Sequence, residues 1–177
     1  MNLNFKNSDI INLINIGKLE EAQVKIAELL IHSPKDIFLL NSLSVIYYKK
    51  GLLDKSIELF KKILEISPDS YEAFFNIGTI LLKKLKFKDA IDYFKSAINL
   101  QKDYFDAYFN IAECYKNLEN FDDAILSLET CRKINPNDLE IYNNVNFIIL
   151  YIIKFIFKSL LSIIYCLLSI VYYLLSL

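Results

Sequence analysis

Two consecutive stretches decide the fold: YEAFFNIGTILLKKLKFKDAIDYFKSAINLQKDY, residues 71–104, and FDAYFNIAECYKNLENFDDAILSLETCRKINPND, residues 105–138. They align without a gap over 34 positions, and residues 37–70 fall into the same frame. Position four reads Leu40, Phe74, Tyr108; position seven reads Leu43, Ile77, Ile111; position eight reads Ser44, Gly78, Ala112; position eleven reads Tyr47, Leu81, Tyr115. The second half keeps pace with Ser56, Ala90, Ala124 at position twenty, Phe60, Phe94, Leu128 at twenty-four, and Ile63, Ala97, Cys131 at twenty-seven. The three prolines mark the frame too: Pro34, Pro68 and Pro136 stand at multiples of 34, with Lys102 in the vacant slot.

Steps of three, one and three place positions four, seven, eight and eleven on one face of a helix, and the later positions do the same for a second helix. Small residues at eight and twenty let the two backbones approach, and large residues at four, eleven and twenty-four fill the space beside them. Each unit is therefore a helical hairpin whose apolar faces need stacked neighbours. These residues resemble the tetratricopeptide repeat, with its 34-residue period. The resemblance implies an all-α, right-handed α-solenoid that acts as a binding surface.

Boundary residues agree. Gly51 suits a turn between helices, and Asp54, Asp89, Asp122 and Asp123 open second helices, where negative charge is favoured. Pro68 and Pro136 stop one unit and start the next. Units 37–70, 71–104 and 105–138 follow. Leu85 in the place of the turn glycine, and Lys102 in that of proline, leave room for a looser inter-repeat turn. Residues 1–36 read as a degenerate first repeat: Gly17, Ala22, Ile26 and Leu29 hold the frame, but Lys6 and Asp9 fall where apolar residues belong, with Ser8 or Asp9 as a helix N-cap. The first residues lack the apolar run of a secretory signal.

The other end changes abruptly. All 21 acidic residues lie at or before Glu140, and from Phe147 onward the charges are Lys154 and Lys158. Residues 139–153 continue the frame as a capping helix, with Tyr142 and Val145 at positions four and seven; residues 154–177 form an apolar tail. Its core, 159–177, contains no charge, and at about 1.5 Å per residue covers roughly 28 Å, close to a hydrocarbon core of roughly 30 Å. Eleven Leu, Ile or Val residues there favour insertion by roughly 3–7 kcal/mol before Ser and Tyr reduce it. The lysines on the N-terminal side predict a repeat domain facing the cytoplasm. Ser162, Ser169 and Ser176 share a stripe that suits self-association in a membrane, or reflects low complexity. Two other readings of the tail stay open: an oligomerising helix on a soluble, cytoplasmic adaptor, and a frameshift product of A/T-rich coding sequence.

Catalytic chemistry finds little support. Cys114, Cys131 and Cys166 lack CxxC spacing, which argues for packing cysteines and no structural metal. His32 is the sole histidine, in a slot filled elsewhere by Ile66, Leu100 and Ile134, and reads as a packing residue. Without a second histidine or a Gly-rich phosphate loop, no triad or nucleotide site assembles, and no cofactor is expected. Lys83, Lys84, Lys86 and Lys88 form the densest basic cluster, but residues 105–138 carry three basic against seven acidic residues, so nucleic acid is not the expected partner.

The resemblance implies a concave groove lined by positions two, five, six, nine, twelve and thirteen of each first helix. Position six gives Ser42, Asn76, Asn110 and, in the cap, Asn144; position five gives Asn41, Phe75, Phe109 and Asn143. Amides both donate and accept, so a ladder of them suits the backbone of an extended peptide, with Phe75, Phe109 and Tyr48 offering apolar contact. Lys49 and Lys83 at position thirteen suit an acidic partner group. Position two carries Phe38, Glu72 and Asp106, and no basic residue stands at five or six, so the carboxylate clamp known in one branch of the family is not expected. The expected function is a non-enzymatic scaffold binding a protein or peptide, held on a membrane by its C-terminal helix. The alternative from another class is a regulatory part of a larger enzyme, such as a glycosyltransferase with N-terminal repeats.

Overall fold

The computed structural model describes residues 7–175. Among these residues nine helices follow one another: α1 (Asn7–Asn15), α2 (Leu19–His32), α3 (Ile37–Lys49), α4 (Leu53–Ile66), α5 (Tyr71–Lys83), α6 (Phe87–Leu100), α7 (Phe105–Asn117), α8 (Phe121–Ile134) and α9 (Leu139–Leu175). The first eight pair as hairpins, each stacked on the next, and α9 takes the first-helix place of a fifth. Lys6 and Ser176 lie outside the described residues. Ser8 and Asp9 sit inside the first turn of α1 instead of capping it, because the helix already begins at Asn7; Asp9 still places its charge where the helix dipole favours it. His32 is exposed in the last turn of α2, since its slot faces away from the stacked helices.

The turn inside each hairpin is the same four times over. Gly17, Gly51, Leu85 and Glu119, each 34 residues from the last, all have positive φ, between 57° and 81°. At Leu85 the N–H donates to Leu82 O (2.9 Å) and that of Lys86 to Leu81 O (2.9 Å); Glu119 and Asn120 repeat the pattern on Lys116 O and Tyr115 O. This double bond closes the helix whether or not glycine is present. Leu85 therefore does not loosen its turn; it holds a left-handed conformation that a β-carbon disfavours. The residue before each first helix is Asp36, Ser70, Tyr104 or Asp138. Asp36 accepts from Leu39 N–H and Ser70 from Ala73 N–H, whereas Tyr104 cannot cap and packs its ring on Tyr71 (5.3 Å) and Phe75 (4.8 Å). Burial there pushes the Tyr104 phenol up to about 12.

Within hairpins the small positions act as the frame requires. A Cβ added to Gly78 would meet the Phe94 ring at 2.7 Å, and Ser56 Oγ donates to Ser44 O across the α3–α4 contact. Between hairpins a second set of residues does the packing. Position three (Leu39, Ala73, Ala107, Ile141) and position ten (Ile46, Ile80, Cys114, Ile148) are buried in α3, α5, α7 and α9. Three core clusters run together through Leu30 and Leu43 at one junction and Tyr108 and Tyr115 at the other. The thiols of Cys114 and Cys131 are buried in this core, which pushes both up to about 12.

Helix α9 docks on the last hairpin differently from the sequence expectation. Tyr142 at position four is 47% exposed, because position four packs on a hairpin's own second helix and α9 has none; Ile141 and Ile148 dock instead, with Val145 half-buried beside them. Docking ends at Ile152, yet the helix continues without a break. Every side chain from Ile153 to Tyr173 is exposed. The segment Leu139–Tyr173 is long and apolar enough to cross a membrane, with mean hydropathy 2.3 in its best window.

Candidate peptide groove

The six groove positions of α3, α5 and α7, apart from the buried Ser42, fall on the face that packing leaves at least partly open, since positions three and ten dock on the preceding hairpin and four, seven, eight and eleven on the hairpin's own second helix. Tyr48 and Asn76 come together here. With Val45, Thr79, Ile80 and Phe60 they line a pocket of about 110 Å³ between the first helices of two hairpins. Lys83 covers one side, its Nζ 4.4 Å from the centre of the Tyr48 ring, a distance suited to a cation–π contact.

Asn76 and Asn110 occupy equivalent places one repeat apart, both half-buried. Neither amide bonds to another described residue, and neither is sealed from solvent. The ladder stops there. Asn144, the next rung, accepts from Lys116 Nζ (2.5 Å) and donates to Glu140 O (3.0 Å), while Ser42, the rung before, is buried. Phe75 is packed against Phe94 (5.6 Å) and Tyr104, and Phe109 stacks on Phe105 (6.0 Å), so both half-buried rings serve chiefly as packing. Asn41 lies apart from the central pocket, in a cavity of about 350 Å³ with Phe38, Ser70 and Glu72. Lys49 is exposed at the rim.

A larger cavity of about 590 Å³ lies at the far end, where α9 meets the last hairpin, lined by Glu113, Lys116, Asn117, Glu119, Phe121, Glu140, Asn143, Asn144 and Tyr151. Lys116 Nζ is held there by Glu113 Oε2 at 2.7 Å. Tyr151 Oη donates to Glu119 Oε1 (3.2 Å), and that carboxylate raises the pKa of the phenol. Thr79, Glu113 and Lys116 were not singled out from the sequence as groove residues. The signal was available, because they hold positions nine and twelve of the same frame. Among the described residues no group of three His, Cys, Asp or Glu side chains is placed to hold a metal.

Models of the tetratricopeptide repeat match residues 39–70 and 81–145. Among solved structures, a crystal structure of MamA superposes with a TM-score of 0.73 at 25% identity, covering 82% of this chain and 84% of that one. YrrB, described as a repeat protein with an unusual peptide-binding site, superposes at 0.67 with 20% identity over 81% and 74% of the two chains. The first repeat domain of Spaghetti (RPAP3), solved with the HSP90 peptide SRMEEVD, does so at 0.62 with 22% identity over 66% and 92%. No curated protein sequence matches the chain.

Proposed function

We propose, because this chain belongs to the tetratricopeptide repeat family, that its repeats receive an extended peptide of a partner protein along the groove, with Asn76 and Asn110 as the central contacts. The observation that carries this is a pair of half-buried amides, one repeat apart, with no hydrogen-bond partner among the described residues. Adjacent packed helices lie about 8–10 Å apart, which is about three residues of extended chain at about 3.3 Å each. The two amides are thus spaced to bond backbone groups three residues apart, with Tyr48 and Thr79 beside a flanking side chain on the α3 side of Asn76. The function is recruitment without catalysis. An acidic peptide such as the SRMEEVD bound by Spaghetti is not the proposed ligand, since Phe38, Glu72 and Asp106 hold position two.

The same proposal places the repeats on the cytoplasmic side of a membrane, held by α9. Its support is the run of exposed apolar side chains from Ile153 to Tyr173, interrupted by Lys154 and Lys158 near its start. The uncharged part from residue 159 onward, at about 1.5 Å per residue, comes close to the roughly 30 Å of the hydrocarbon core, and Lys154 and Lys158 then lie in the headgroup layer.

A photo-crosslinking residue at position 79 in the full chain tests the groove. The partner is expected to crosslink there and to be lost with Asn76→Ala and Asn110→Ala together; capture that survives the double substitution removes the groove as the site. Alkaline carbonate extraction tests the anchor: the protein is expected in the membrane pellet, and release to the soluble fraction favours the oligomerising-helix alternative.

A further inference from the structure

The groove leaves most of the basic cluster at residues 83–88 unexplained. Lys83 touches Tyr48 and Lys84 pairs with Asp54, but Lys86 and Lys88 point to solvent around Leu85, which is 72% exposed. Where this cluster lies in the molecule gives it a use.

Helix α9 takes a first-helix place and so runs in the same direction as α7. Near the end of its docked part Tyr151 reaches the turn between α7 and α8, its ring 4.9 Å from that of Phe121 and its hydroxyl on Glu119. Beyond Ile152 the helix therefore leaves the solenoid on the edge built from the four hairpin turns at Gly17, Gly51, Leu85 and Glu119. From Ile152 to Ser159 is about 10 Å along the helix, comparable to a headgroup layer of about 5–8 Å plus the reach of a lysine.

The two edges of the array differ in charge. On the edge where α9 leaves, residues 49–55 and 83–89 hold seven lysines against Asp54 and Asp89. On the opposite edge, residues 66–72 and 100–106 hold Lys102 against Asp69, Glu72, Asp103 and Asp106. The turn beside α9 carries Glu119, Asp122 and Asp123, which puts the basic surface one to two repeats away from the helix.

We propose that this edge rests on anionic phospholipid headgroups of the bilayer that α9 enters, with Lys86 and Lys88 facing the phosphates and Leu85 set beside them. The inference depends on α9 being a membrane span. Two separated attachments, the helix and the basic turns, then fix which way the groove faces. A polybasic surface near an anionic leaflet is attracted in this way, and the attraction is screened by salt. In its left-handed turn between α5 and α6, Leu85 is left open to such a contact.

The test uses the full chain with Cys166→Ser in lipid nanodiscs. A polarity-sensitive fluorophore is placed on Leu85→Cys or, on the opposite edge, on Lys102→Cys; Cys114 and Cys131 stay unlabelled at neutral pH because they are buried. In nanodiscs containing phosphatidylserine, a lipid-borne quencher is expected to quench the probe at 85 several-fold more than that at 102. The difference should shrink in pure phosphatidylcholine, and with Lys86→Gln and Lys88→Gln combined. Equal quenching at both positions, or quenching at 85 indifferent to lipid charge, overturns the proposal while leaving the anchor intact. Failure of the unlabelled protein to remain with the nanodisc overturns both.

Discussion

Leu85 and Glu119 hold a backbone conformation that costs a side-chain-bearing residue about 1–2 kcal/mol. Glycine removes that strain but adds freedom to the unfolded chain worth about 0.4–1 kcal/mol in the opposite direction. Leu85→Gly is therefore expected to stabilise the protein by about 0.5–1 kcal/mol in urea unfolding, since the exposed leucine loses little packing. Glu119→Gly should gain less, because it also removes the acceptor of Tyr151 Oη. Leu85 was legible as an exception from a missing glycine; Glu119 was hidden because Leu118 and Asn120 make an ordinary polar turn around it. A second prediction concerns the lysine at the end of α5. Lys84 bridges to Asp54 on the preceding hairpin and, chiefly through that hydrogen bond, lowers the carboxyl below its ordinary value. A depressed folded pKa gives stability that is present above the unfolded value near 4 and is lost as the pH falls through the folded one. Lys84→Met should flatten the loss of melting temperature between neutral and strongly acid solution, measured by circular dichroism. An unchanged acid limb would show that the pair contributes nothing.

At the scale of helices, the frame of residues 37–138 was readable because four, seven, eight and eleven recur on one face. The contacts between hairpins escaped because positions three and ten carry Ala73, Ala107 and Cys114, small residues that hydrophobic periodicity weighs lightly. Their importance shows in α9, where Ile141 and Ile148 dock while Tyr142 stays half exposed. Another consequence of substitution within the frame is a cavity of about 400 Å³ between α6, α7 and α8, lined by Ile98, Tyr108, Ile111, Tyr115 and Ser127. Position twenty-three holds Leu59 and Tyr93 in the other two units; the Tyr93 ring lies 6.3 Å from that of Phe74, and Ser127 leaves the equivalent space empty. Ser127→Leu is expected to stabilise by about 1 kcal/mol, part of the about 1.5–3 kcal/mol of a fully buried leucine. The rise should appear as a higher urea midpoint with unchanged slope; a lower midpoint would mean that the cavity cannot accept the branch.

For the molecule as a whole, the sequence separated a regular array from an apolar tail, and composition was enough for that. It could not show that the cap and the tail are one helix, or on which edge that helix leaves, because both depend on how α9 lies against α8. A chain ending after Ile152 keeps the docked part and is expected to be monomeric and as stable as the repeats of the full protein. One ending after Asp138 uncovers Leu128, Cys131 and Ala112 and should melt lower or aggregate. Calorimetry and light scattering of the two truncations decide this; equal melting would mean that α9 does not complete the core. The groove positions were legible through the repeat frame, whereas the proposed membrane edge was not, because Lys83 was read as a groove cation and its neighbours acquire a direction only once α9 does.

Every glycine and proline of the chain lies at or before Pro136, so nothing between Leu139 and Leu175 offers a hinge. A rod of 37 residues, about 55 Å long, is clamped at one end by Ile141 and Ile148. Tension on whatever the repeats hold would act on that rod as a bending moment, and the lever arm beyond the clamp is longer than the clamp itself. Were α9 embedded as proposed, mechanical load at the groove would be converted into tilt of this rod, and the helix would transmit force as well as hold the repeats in place.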